Sequence, residues 1–206
     1  MPNANDFLPE GYTIPSTSQY MKFENGVNTF RILSKPIMGM EFWTSKIDEK
    51  GQPKRSPNRR RMGVAIKMTE LEVNPESGKI DSPQHFWAMP VWNYKQKNIQ
   101  ILEIKQKTVL EAIKSYIDNP KWGSPMEYDI SVSKSGEGLS TKYLIDHDPK
   151  EALDKDVAQQ FKDMNINLEA LFDGKDPFEQ SELPPLSGDV EGFEDELKKA
   201  SEAKAN

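Results

Sequence analysis

"IQILEIKQKTVLEAIKSYIDNP", residues 99–120, decides the fold. Its first six residues are apolar on both faces, which marks a strand with a neighbour on each side. A helix follows within a few residues. Thr108 and Glu111 have the spacing of a capping box, with Thr108 as N-cap. Val109, Leu110, Ile113, Tyr116 and Ile117 form one apolar stripe, and Asn119-Pro120 ends it. Two more strands follow, "MEYDISVS" (126–133) and "LSTKYLID" (139–146), around a turn at 134–138. A central strand, one inserted helix and a closing hairpin make a mainly β design.

Upstream, "YMKFENGVNTFRIL" (20–33) reads as a hairpin turning at Glu24-Asn25-Gly26. Its second strand places Val27, Thr29, Arg31 and Leu33 on one face and Asn28, Phe30 and Ile32 on the other. "IMGMEFWTSKI" (37–47) is a strand with a bulge or bend at Gly39. Residues 48–62, rich in base and proline, read as a loop. "GVAIKMTELEV" (63–73) reads as a strand, and "QHFWAMPVWNY" (84–94) as a strand interrupted at Pro90. A second helix is expected from Asp148-Pro149 to Met164, with "NLEALF" as a last turn. The best match is a five-stranded Greek-key barrel of the oligonucleotide/oligosaccharide-binding (OB) kind, with one or two helices and a disordered acidic C-terminal tail. A β-sandwich or an SH3-like barrel is the alternative. The expected boundaries are an extended arm over 1–19, the OB-like domain over 20–172 and the tail over 173–206. In the tail, Phe193 and Leu197 fall on one side of a potential helix.

The formal net charge of −6 hides a gradient. Residues 22–142 carry 20 Lys+Arg against 14 Asp+Glu, whereas 173–206 carry 4 against 10. A basic body with an acidic tail suits a polyanionic partner despite a pI near 5.1. The chain has no cysteine, which excludes disulfides, thiol catalysis and a cysteine zinc site. Its two histidines, His85 and His147, lie in no catalytic motif and read as surface or edge residues. No P-loop or nucleophile elbow occurs, and "GEG" (136–138) joins two strands, so it reads as a turn. No cofactor and no resident metal is expected, and the chain reads as a non-enzyme. No apolar run reaches the length of a membrane span, so a cytoplasmic location without a membrane partner is expected.

Aromatic and basic residues are interleaved in a pattern suited to single strands of nucleic acid. Such a strand exposes base faces for stacking and a negative backbone for cations. Trp92 and Tyr94 lie two apart, with Lys95 and Lys97 just beyond, and Trp43 with Lys46 repeats the theme. Lys54, Arg55, Arg59, Arg60 and Arg61 add charge between strands, and Lys67 follows. Trp87 joins the candidates. Trp87 and Trp92 fit core and platform equally, whereas Phe30, Phe42, Phe86 and Tyr128 read as core.

Three segments, "YMKFENGVNTFRIL", "VWNYKQKNIQILEIKQKTVLEAI" and "NPKWGSPMEYDISVSKSGEGLSTKY", taken in order, resemble phage-encoded single-stranded DNA-binding proteins with an OB fold. The resemblance implies a protein that coats exposed DNA strands during replication, recombination or repair. It implies a cleft lined by the stretch around Trp92, Tyr94 and Lys95 and by the basic segment, with "NPKWG" (119–123) shaping the fold. It also implies an acidic tail that contacts replication or recombination proteins, in the host cytoplasm. Two features depart from the pattern. The cysteines of the zinc module that some relatives carry are missing, and "EDELKKASEAKAN" follows Phe193 where bacterial-type tails end on a short acidic tip with a terminal phenylalanine. The alternative is a phage structural or assembly adaptor acting through its tail.

Overall fold

The computed structural model describes residues 18–47, 51–75 and 77–179. The expected arm and tail lie largely outside these residues. The chain runs β1 (Tyr20–Met21), β2 (Gly26–Ile32), β3 (Ile37–Ile47), β4 (Pro53–Arg61), β5 (Gln84–Asn93), β6 (Asn98–Ile104), α1 (Lys107–Asp118), β7 (Asp129–Ser135), β8 (Lys142–His147) and α2 (Lys155–Met164). A 3-10 helix, Leu168–Asp173, follows. The protein is mainly β, built on one mixed sheet of eight strands.

The main path of the sheet is β1-β6-β5-β2-β7-β8, with the β3–β4 hairpin branching from β5. One long strand, β5, serves two partners along one edge. Its first half pairs with β3, from Ile37↔Ala88 to Glu41↔Gln84, and its second half with β2, from Phe30↔Asn93 to Ile32↔Val91. Pro90 therefore does not interrupt β5. It sits opposite the break between β2 and β3, where its carbonyl accepts from Leu33 N at 3.0 Å and no ladder donor is required of it. β6 is central, between β5 and β1. The sheet is open: among the described residues no ladder joins β8 to β6 or β1.

The inner face carries the main core. Val109, Leu110 and Ile113 of α1 pack on Phe30, Ile32, Met89, Val91, Leu102, Ile104, Ile130 and Val132, the inward positions of β2, β5, β6 and β7. The outer face of β5 and β6 is covered by the segment after α2. There Phe86, Ala88 and Ile101 are sealed by Leu171, with Tyr20, Ile37, Phe172 and Phe178 packed around them. Phe30, Phe42, Phe86 and Tyr128 are all buried, as their patterning implies.

Several expectations need correction. β1 pairs in parallel with β6, so residues 20–33 are no hairpin. The Asn28 side chain instead clamps the preceding bend, accepting from Glu24 N at 2.9 Å and donating to Glu24 O at 2.8 Å. The expected loop 48–62 contains β4, which pairs with β3 over nine residues. Its prolines fit because β4 is an edge strand. Residues 63–73 hold no strand beyond a single bridge at Val73 to Ile80; a short 3-10 helix, Met68–Glu70, lies there instead. Helix α1 starts at Lys107 with Gln106 as N-cap, and Thr108 lies inside it. Helix α2 starts at Lys155, not near Pro149. Its N-cap Asp154 accepts from Asp156 N at 2.7 Å and Val157 N at 3.4 Å, the side-chain bonds that residue type supplies. Gly39 makes no bulge. It keeps the ladder because a Cβ there would collide with Arg60 O and lie 3.0 Å from the Phe86 and Phe172 rings.

Candidate nucleic-acid interface

The open seam of the sheet forms a cleft of about 530 Å³. One rim is β1 and the chain just after it, with Tyr20, Lys22 and Phe23. The other is the β7–β8 pair, with Lys134 and Tyr143. Arg59, Glu103 and Lys105 line its floor. Phe23 and Tyr143 meet across it, ring centroids 6.1 Å apart.

The floor is electrically balanced. Glu41, 3% exposed, contacts Arg59 at 3.1 Å and Lys105 at 2.6 Å, while Glu103 contacts Arg59 at 2.6 Å. Two carboxylates thus match two cations in a buried network. The rim is not balanced. Lys134 Nζ donates to the Phe23 carbonyl at 3.1 Å, which leaves its charge uncompensated, and no carboxylate pairs with Lys22 among the described residues. Burial, and then the Glu103 carboxylate, push the Tyr20 hydroxyl above its ordinary pKa, so it stays neutral. The cleft therefore offers two free cations beside three rings.

The β3–β4 hairpin carries this surface onward. Glu41↔Arg59 is the rung at the cleft floor, and Trp43↔Pro57 and Ser45↔Arg55 are the next rungs on the same face. Trp43 is 39% exposed, with the Arg55 guanidinium 5.9 Å from its ring centroid. Lys54 is exposed, and its backbone pairs with that of Lys46. The other arginines are engaged. Arg55 binds Asp81 at 2.8 Å, Arg60 binds Glu70, and Arg61 binds Glu169 at 2.7 Å while lying 4.6 Å from the Phe172 ring centroid. Hydrogen bonds from Arg55 and then Asn74 hold Asp81 below the usual carboxylate range. For Glu70 the Lys67 backbone N–H is the main cause, followed by Arg60. The Lys67 side chain is exposed.

A second group gathers at the far end of β5. Gln84 lies beside Glu41, and Trp92 is eight residues further, about 27 Å along the strand. Trp92 is half-buried on the outer face, and Tyr94 is 40% exposed. The Tyr94 hydroxyl donates to Asp129 Oδ1 at 3.0 Å, and Arg31, 2% exposed, holds the same oxygen at 2.5 Å. Burial, and then the bond to Asp129, push the Tyr94 pKa up to about 12. Lys95 pairs with Glu24 at 2.5 Å, while Lys97 is exposed in a left-handed turn at φ 51°. The segment sealing Phe86 and Ala88 lies between this group and the hairpin.

Trp87 belongs to neither group. It faces the inner core, and its Nε1–H donates to His85 Nε2 at 3.0 Å. His147 is half-buried among aromatic rings, 4.2 Å from Trp122 and 4.5 Å from Tyr116 between centroids. Among the described residues no three His, Asp or Glu side chains group as metal ligands, and no helix is long and apolar enough to cross a membrane.

Tyr20, Lys22, Phe23, Lys134 and Tyr143 are absent from the sequence-derived candidates. Each looks ordinary in its own segment, and only the topology assembles them. The one signal in sequence was the alternation of "YMKF", which sets Tyr20 and Lys22 two apart.

No protein-family model matches the chain, and no solved structure matches it. The chain is similar to a probable ssDNA-binding protein of Escherichia phage T5, 23% identical over 139 residues. The match covers 62% of this chain and 54% of the phage T5 protein, so the chain spans about half the length of that relative.

Proposed function

We propose that the protein is a non-enzymatic binder of single-stranded DNA that coats the strand without sequence preference during phage DNA replication, recombination or repair. The observation that carries this reading is the seam cleft, where the uncompensated Lys22 and Lys134 stand beside Tyr20, Phe23 and Tyr143. Sequence-independent binding of a single strand needs that pairing of cations with rings. The similarity to the phage T5 protein supports the same partner. On this reading β6-β5-β2-β7-β8 are the strands of an OB-like barrel left unzipped at the seam. The bound strand leaves the cleft along Trp43 and Arg55, which share the face of the Arg59 rung. Trp92, Tyr94, Lys95 and Lys97 form a second contact for longer strands, and residues 173–206 recruit replication or recombination proteins.

The test is titration with oligo-dT and with duplex of equal length over a range of salt. The single strand binds in preference, and affinity falls linearly on a log–log plot. Replacing both Lys22 and Lys134 by alanine lowers the slope by about 1.4, since each phosphate contact on a single strand contributes about 0.7. Equal affinity for duplex, or an unchanged slope in the double variant, refutes the reading.

A further inference from the structure

A second concavity, about 260 Å³, lies where the C-terminal end of α1 meets the β2–β3 bend. Ile32, Trp87, Met89, Ile117, Pro125 and Met126 line it, and it shares no residue with the seam cleft. Its lining is almost wholly apolar. At its mouth Ile117 is 44% exposed, and the neighbouring Met38 and Trp122 are 46% and 38% exposed. Exposed apolar surface gathered around a preformed pocket marks a docking site. Two cations flank it. Lys35 lines the pocket and Lys121 lies two residues before the lining Gly123, and neither has a carboxylate partner among the described residues.

We infer that this pocket receives the chain's own segment 190–197, "VEGFEDEL", with the Phe193 ring inside it and Leu197 on Ile117. The chemistry matches on both counts. Phe193 and Leu197 are four apart, as an apolar pair on one helical face is. Glu194 and Glu196 flank that pair on either side of the same face and complement the Lys35 and Lys121 charges. The tether also reaches. Fourteen Cα–Cα steps lead from Glu179 to Phe193, a span of up to about 46 Å, against a radius of gyration of about 15 Å for a body of this size. Tethering gives an effective concentration on the order of millimolar, so burial of Phe193 together with the Leu197 contact suffices to dock the segment. Docked there, the acidic segment leaves the seam cleft free, and a partner protein must displace it to use it.

The experiment uses the full chain with a photoreactive benzophenone amino acid replacing Phe193. After irradiation of dilute protein, mass spectrometry maps the links. Links within one molecule to residues 32–36, 113–117 and 123–126 are expected, and Met126 is a good acceptor. Ile117→Glu lowers their yield about tenfold or more, the loss expected for one buried apolar contact. Lys35→Glu lowers it too without altering the apolar lining, and unchanged circular dichroism and urea midpoints certify both variants as folded. Links to residues 20–23 or 134–143 place the segment in the cleft and overturn the inference. So do links between two molecules, or the absence of any preferred link. None of these outcomes depends on single-stranded DNA being the ligand.

Discussion

Tyr94 is half in solvent, yet its hydroxyl is tied to a carboxylate that also holds the buried Arg31. Burial, and then that bond, stabilise the neutral phenol. The ordinary tyrosine pKa is 10.0, and Tyr94 in the folded protein stays protonated to about 12. Between these values the unfolded chain has lost the proton and the folded chain has kept it. Unfolding is therefore favoured progressively as pH rises. The contribution of Tyr94 is complete below pH 10 and lost as pH approaches about 12. Tyr94→Phe removes it at every pH. The wild-type protein is expected to unfold at higher urea than Tyr94→Phe at pH 8, with the gap closing on the way to pH 12. Urea midpoints for both proteins across that range check this. A constant gap would mean that neither burial nor Asp129 raises the Tyr94 pKa. The residue scale was half legible in sequence. Alternation put Phe30 and Ile32 inside and Arg31 on the other face. It could not show that Arg31 would be buried, because its partner Asp129 is 98 residues away.

At the scale of elements, β4 runs against local rules. "PKRSPNRRR" has two prolines and no apolar residue, and it reads as a loop by composition. It is a strand because its neighbours supply what its sequence lacks. Arg59 enters the Glu41–Glu103 network and lies 5.6 Å from the Phe86 ring centroid, and Arg60 lies 5.6 Å from that of Phe42. These tertiary contacts override propensity. The arginines are accordingly unequal. Arg59, with its side chain 12% exposed, balances the nearly inaccessible Glu41. Arg59→Ala leaves that carboxylate undercompensated, and truncations of this kind cost about 3–5 kcal/mol. Lys105 remains beside Glu41, so the lower end is expected. Arg61 and Glu169 are both more than half exposed, and Arg61→Ala should cost less than about 1 kcal/mol. Chemical denaturation of the two variants tests the ranking. Equal costs would mean that the network at the cleft floor is open to water. By contrast β3, α1 and the β7–β8 pair were legible, since their apolar periodicity agrees with the packing they find.

For the whole molecule, the proposed function makes the arrangement of the cations decide what length of strand the surface serves. The seam cleft and Trp43 are continuous, because the rung at Arg59 leads directly to the rung at Trp43. Trp92 and Tyr94 lie at the other end of β5, beyond the segment that covers Phe86 and Ala88. Sequence reasoning could find the aromatic members but not this division. It also could not find the cleft, whose rims come from residues 20–23, 134 and 143 and meet only once β6, β5, β2, β7 and β8 are ordered in space. A strand that fills the cleft should occupy the hairpin rungs first and reach Trp92 only when longer. Sites per OB-like unit run from about 4 to 16 nucleotides. Hydrogen exchange with oligo-dT at each end of that range separates the two stages. The short oligonucleotide should slow exchange at 20–23, 134–143 and 43–46 and leave 92–97 unchanged. The long one should slow all four. Simultaneous protection of 92–97 by the short strand would mean that the path runs across the outer face, which requires the Leu171–Phe178 segment to move aside. The amides of 168–178 would then exchange faster on binding, and that acceleration tells a displaced cover from a strand that passes around it.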